Sequence, residues 1–314
     1  MSTDIDTVYA AFCSELPADL AAVARSLARR VGLAPTDEIR WSEVFKHSVT
    51  LAAPLFFAEG MHGLAQPVLE LAAEAHLLAV IEAFSVDRIA DGQIEDTPAL
   101  SALLAQMRMH RNRALSCLFG EGFEEPVSLE EERTRAAIAR ERALFAAGDG
   151  VAMPTYRQVS ADKQSVGLIA SIALATHAGW AGAKLDAVRA TLLDVALGLQ
   201  FVDDVADWED DVALGGAWMP LLAKRSSRQD APTEPGPRRA WVESSRVLVD
   251  VLELAAACFQ EAATAATGLG AVRLAHWASV RAGEARRQRA GEEKAPGYVR
   301  RSRSLAAFKA EVIG

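Results

Sequence analysis

The stretch Leu197–Asp211 reads LGLQFVDDVADWEDD. An apolar run ends at Gln200 and Phe201 and breaks into acid at Asp203, Asp204, Asp207, Glu209, Asp210 and Asp211. On a helix, Asp203, Asp207 and Asp211 fall at i, i+4 and i+8 and share one face. Two half-buried carboxylates 6 Å apart at an effective dielectric near 20 repel by about 3 kcal/mol. A helix that needed only a polar face would alternate its signs. Such a row is best explained by divalent cations, and an all-oxygen donor set without His or Cys suits Mg²⁺.

Around this stretch the chain of 314 residues is 51% hydrophobic and 24% charged, which supports a large packed core. The formal charge of −9 argues against a nucleic-acid partner. Cys13, Cys117 and Cys258 show no CxxC spacing, which predicts a reducing compartment without a disulfide frame. The N-terminal MSTDIDTVY has neither a basic leader nor an apolar signal core, so a cytoplasmic location is expected. Gln164–Ala183 holds no charged residue over 20 positions. That length would span a bilayer, but its polar residues and glycines fit a buried helix better, and no stable membrane insertion is expected.

Ala, Leu, Arg and Glu dominate between the breakers, and no alternating β-branched run stands out. The pattern predicts helices over Pro17–Val31, Trp41–Gly60, Leu64–Asp91, Pro98–Phe119, Leu129–Ala147, Ala161–Gly179, Lys184–Asp211, Arg238–Thr267, Ala271–Ala290 and Ser302–Val312. Lys224–Arg239, rich in Pro, Ser and charge, reads as a surface loop. The expected architecture is one all-α domain over residues 1–314.

A second acidic cluster closes the Leu64–Asp91 segment, where Asp87 and Asp91 are again i, i+4. Two long apolar helices, a hundred residues apart in sequence, each end in carboxylates. Brought face to face, they would hold a diphosphate head through Mg²⁺ above a greasy cavity.

These residues resemble the class I isoprenoid synthases, which comprise trans-prenyl diphosphate synthases and class I terpene synthases. Asp87-Arg88-Ile89-Ala90-Asp91 is similar to their first motif, DDxxD, with Arg88 in place of the second aspartate. Gln200–Asp207 resembles the second motif, FQxxDDxxD, with Gln and Phe exchanged, and also fits the cyclase triad at Asp203, Asp207 and Asp211. The resemblance implies a helical bundle around a central apolar cavity and three Mg²⁺ per site, held by Asp87, Asp91, Asp203, Asp207 and Asp211. It further implies a linear prenyl diphosphate substrate and a homodimer.

The resemblance places Arg157 at the position of the cyclases' diphosphate-sensing arginine and Lys163 at that of the synthases' conserved lysine. Arg300, Arg301 and Arg303 are candidates for a diphosphate lid. Ala83, Phe84, Trp180, Gln200, Phe201 and Trp208 are candidates for the pocket wall, with core packing as the alternative for the aromatics. Ala83 is small where many synthases are bulky, which implies a longer chain. Glu82 has no evident role.

The acceptor motif of prenyl synthases is absent, since the matching VFKHSVTLAAPLFFAEG keeps only Lys46 and Pro54, and no RRG follows Asp91. The next basic cluster is Arg108, Arg111 and Arg113. The expectation is therefore a Mg²⁺-dependent terpene synthase acting on a C15–C25 prenyl diphosphate. A prenyl diphosphate synthase or related prenyltransferase is the alternative. A di-iron carboxylate bundle needs two Glu-x-x-His pairs, and only Glu59-Gly60-Met61-His62 is present. A non-catalytic protein of the same fold would be expected to erode the second motif, which is intact.

Overall fold

Thr97 opens a helix with well-defined caps at both ends. Its hydroxyl accepts from Leu100 N at 3.2 Å, Pro98 occupies the first turn, and Gly120 ends the helix at φ +78°. Local rules of this kind govern a computed structural model that describes residues 3–45, 47–90, 92–227 and 231–294. In chain order the helices are α1 (Ile5–Glu15), α2 (Ala18–Arg25), α3 (Leu27–Arg30), α4 (Trp41–Val44), α5 (Val49–Phe57), α6 (Gln66–Ala90), α7 (Pro98–Phe119) and α8 (Glu124–Ala147). They continue as α9 (Met153–Lys163), α10 (Ser165–His177), α11 (Ala183–Leu214), α12 (Trp218–Ser227), α13 (Pro235–Ser244), α14 (Val247–Gly268) and α15 (Val272–Lys294). No strand occurs among the described residues, so the fold is all-α as the sequence predicts.

Several boundaries differ from the expected ones, each for a physical reason. The helix expected at 17–31 breaks at Ser26, whose hydroxyl bonds back to the carbonyls of Ala22 and Val23 and competes with the ladder. The one expected at 41–60 is a single turn, an extended Phe45, and a second helix kinked at Ala52 two residues before Pro54. The apolar helix expected at 161–179 divides at Gln164, and its second part, α10, has 13 residues. Among the described residues no helix is long and apolar enough to cross a membrane.

Arg246, at φ +66°, separates α13 from α14. Within the stretch read as a loop, Lys224–Arg239, residues 224–227 end α12 and residues 235–239 begin α13, with Pro235 in α13's first turn. The N-terminal helix α1, capped by Asp4, was not expected from the sequence. The helix expected at Ser302–Val312 lies outside the described residues.

The backbone divides into two compact units, and each boundary falls inside a helix rather than in a linker. The first unit comprises the chain up to Glu130 with Val166–Arg189 and Ala266–Leu274. Its core holds Phe12, Leu27, Leu77, Leu78, Ile81, Leu103 and Met107. The Tyr9 hydroxyl donates to Ala24 O at 2.9 Å and fixes α1 on α2. Gly60 is required by packing, because a Cβ there would lie 1.9 Å from Leu269 O. The second unit comprises Glu131–Ser165, Ala190–Ala265 and the chain from Ala275. Tyr156, Phe201, Trp218, Val251, Leu252 and Phe259 fill its core. Gly198 makes room for the Phe259 ring, whose carbons would be 2.7 Å from a Cβ at that position.

Glu82 acquires a role in the first unit. Its buried carboxylate accepts from Arg108 Nε at 2.9 Å and from the buried Arg111 at 3.0 Å, tying α6 to α7. Removing one member of a buried ion pair strands the other charge. Glu82→Ala is expected to lower unfolding stability by about 3–5 kcal/mol; denaturant titration of the variant against the parent chain measures this.

Candidate functional site

The uninterrupted helix α11 places Asp203, Asp207 and Asp211 on one face, as their spacing predicts. Solvent reaches Asp203. The protein packed around it displaces hydration, and Asp207 adds its charge, so the Asp203 carboxyl is pushed up to about 6. Asp211 is half-buried and rises to about 7 through lost hydration and then through Asp203, Asp207 and Asp210, against a pull downward from Lys163. The face is thus crowded with negative charge.

Asp204 has a different environment from its neighbour. It is buried, and burial pushes its carboxyl up to about 7. The Tyr156 hydroxyl on α9 donates to its Oδ2, and Gln200 Nε2 donates to its Oδ1 at 2.8 Å. Gln164 Nε2 in turn donates to Gln200 Oε1 at 3.3 Å. Burial and Asp204 together raise the Tyr156 phenol well above its usual range, so it stays a donor. Asp204 therefore pins α11 to α9, while Asp203 remains available to solvent.

Lys163 supplies a cation to this region, since its charge reaches both Asp204 and Asp211. Its Nζ donates to Glu141 Oε2 at 2.6 Å, and Trp218 Nε1 donates to Glu141 Oε1 at 3.0 Å. Arg157 has another partner: it lies 4.0 Å from Asp194, whose carboxyl burial and Glu261 push up to about 6. Nine residues before Asp203, Asp194 is about half a rotation around α11 from it. Of the two cations, Lys163 is the one whose field acts on the aspartate row.

The aromatic candidates have distinct settings. Phe201 is fully buried, with its ring centroid 5.1 Å from that of Tyr156, and Trp208 is also buried in the second unit's core. Trp180 precedes α11, with Lys184 Nζ 3.7 Å above its ring, whereas the aspartates sit in that helix's last third. In the first unit Phe84 is exposed and its ring centroid lies 5.0 Å from that of Phe45. Ala83 and Asp87 are half-buried near the end of α6. Arg88 is half-buried against Gly32, where a Cβ would lie 3.0 Å from its guanidinium; burial lowers its pKa and Asp87 raises it. Asp91, Lys46, Arg300, Arg301 and Arg303 lie outside the described residues.

The basic cluster after the first motif is engaged internally. Arg108 and Arg111 hold Glu82, and Arg113 donates to Glu15 at 2.9 Å. Glu59 accepts the side chain and the backbone N–H of Arg273, and Met61 is extended, so Glu59 and His62 do not form the helical pair a di-iron site needs.

Among the described residues, no three His, Cys, Asp or Glu side chains converge to hold a metal ion by themselves. Mg²⁺ asks less, since one or two carboxylates with water and substrate phosphate fill its octahedron. The mutual repulsion along α11 fits such a cation.

Tyr156, Glu141, Trp218 and Gln164 are missing from the sequence candidates. Tyr156 and Lys163 are seven residues apart and so share a face of α9, a usable signal. Glu141 gave none, because α8 reads as a charged surface helix.

Raised carboxyl pKa values fix the sign of the pH response. An unfolded Asp titrates near 3.9, so between about pH 4 and pH 7 the folded chain binds more protons at Asp204 and Asp211. Their contribution to stability is present below that window and is lost as pH rises through it. Without divalent cations, Tm is expected to fall from pH 5 to pH 7.5, and Asp211→Asn to flatten the fall. A calorimetric series would contradict this if the two chains kept parallel profiles.

No protein-family model matches the chain, and no curated protein matches it in sequence. Solved structures do match. A polyprenyl synthetase from Streptomyces coelicolor A3(2) superposes with a TM-score of 0.62 at 16% identity, over 90% of this chain and 96% of that one. A polyprenyl synthase from Caulobacter crescentus CB15, complexed with calcium and isoprenyl diphosphate, gives 0.53 at 20% identity, over 90% and 98%. One from Roseobacter denitrificans gives 0.52 at 19% identity, over 88% and 99%. The chain thus shares the all-α fold of these polyprenyl synthases.

Proposed function

We propose that this chain is a Mg²⁺-dependent enzyme that activates a linear allylic prenyl diphosphate and transfers its prenyl group to an acceptor. The observation that carries the reading is Lys163, whose charge acts on the carboxylate face of α11 at the position of the lysine in the synthases it resembles. The fold it shares with polyprenyl synthases supports the same branch, and the isoprenyl diphosphate bound by the Caulobacter protein fits the substrate class common to both readings. Arg157, the residue that favoured a cyclase, lies against Asp194 instead.

In this reading Asp203, Asp207 and Asp211 hold cations on α11, and Asp87 and Asp91 are the further ligands that the resemblance implies. Bound Mg²⁺ would supply the positive charge that stabilises the departing diphosphate. Lys163 donates to the diphosphate oxygens as a point charge. Asp204, held by Tyr156 and Gln200, keeps α11 at a fixed rotation so that the ligating carboxylates stay in register.

A second reading, ionisation and cyclisation of a C15–C25 substrate alone, is favoured by one observation. Arg108, Arg111 and Arg113 are tied to Glu82 and Glu15, which leaves the basic cluster engaged rather than presented to a second diphosphate.

Incubation with C10 to C25 prenyl diphosphates, with and without isopentenyl diphosphate, separates the two. A longer diphosphate formed only with the C5 unit supports prenyl transfer; hydrocarbon or alcohol formed without it supports the second reading; no turnover under either condition removes both. Asp203→Ala and Asp207→Ala are each expected to lower kcat/KM about a hundredfold or more.

A further inference from the structure

The pair beneath the acidic face has a property that its charges alone do not explain. Glu141 is buried on α8, a helix most of whose residues are exposed. Both of its oxygens are engaged, Oε2 by Lys163 and Oε1 by Trp218. Trp218 is itself buried, with its ring 5.1 Å from that of Phe145 and 4.9 Å from that of Tyr156. Three helices, α8, α9 and α12, thus converge to hold one ammonium group.

A lysine at this place needs such a hold. Its stem has four rotatable carbons, and its ammonium is a strongly hydrated point charge. While the row on α11 is bare, its carboxylates attract Lys163. Once divalent cations load, the same face turns positive and repels it. A carboxylate that the metal does not neutralise then has to retain the lysine.

We propose that Glu141, oriented by Trp218, is a positioning residue that keeps Lys163 at the acidic face when metal is bound, presenting its ammonium to the diphosphate. The inference rests on the proposed function and adds a residue to that site. It predicts that Glu141 acts on anion binding only through Lys163.

Calorimetric titration of inorganic pyrophosphate in the presence of Mg²⁺ tests it, with Glu141→Gln made in the parent chain and in a Lys163→Met background. Glu141→Gln retains an acceptor for the Trp218 N–H and nearly the same side-chain volume, and replaces the charged acceptor of Lys163 with an amide NH2. Affinity is expected to fall about tenfold in the parent chain, in the range typical of outer-shell partners, and to show no further loss in the Lys163→Met background. Trp218→Phe keeps an aromatic ring in the core and removes the donor; it is expected to weaken binding through the same lysine, and it carries the test if Glu141→Gln does not fold. Unchanged or tighter binding, or an equal loss in both backgrounds, overturns the positioning role. A parent chain that fails to bind pyrophosphate with Mg²⁺ overturns the proposed function itself, and this inference with it.

Discussion

Mutual repulsion among carboxylates on one face of α11 is the constraint from which the second unit's polar architecture follows. Asp207 raises the Asp203 carboxyl pKa, and Asp203, Asp207 and Asp210 raise that of Asp211. A helix that only had to fold would not carry such a face. The surrounding structure compensates with one lysine whose charge reaches the row and a buried glutamate that holds the lysine. A ligand that brings divalent charge would relieve the remaining repulsion.

Adjacent aspartates divide the work. Asp203 faces solvent, whereas Asp204 is enclosed by Tyr156 and Gln200 and reaches α9 through them. One residue of rotation, about 100° on a helix, separates a group free to bind from one that fixes the helix. The aromatic shell beneath them is tightly packed, because Tyr156 contacts both Phe201 and Trp218 through ring faces tilted at 41° and 49°. A hydrogen-bonded anchor set in such packing resists rotation of α11, and the register of the acidic row depends on that resistance.

The arginines show how far a charged side chain can be misread without its partners. Arg108, Arg111 and Arg113 read as the nearest basic cluster after Asp91, and Arg157 as a diphosphate contact. In the structure the first two neutralise Glu82, the third binds Glu15 and the fourth faces Asp194. A guanidinium is planar and carries five donors, so it suits internal carboxylates as well as it suits phosphates. The choice between them is made by burial and by which carboxylate the neighbouring helix presents.

Helical content, the long helices α6, α7 and α11, and the shared face of Asp203, Asp207 and Asp211 were legible in the sequence, because periodicity and capping act over a few residues. Helix ends were less legible where a side chain or a proline competes with the ladder, as at Ser26 and Pro54. Tertiary structure alone decided that Asp204 is an anchor, that Glu82 is an ion-pair partner, and that Glu141, in a segment that reads as surface, is buried beneath Lys163. Those assignments depend on which helices pack side by side. A carboxylate's role is set by the donors brought to it from distant parts of the chain, and no local pattern encodes them.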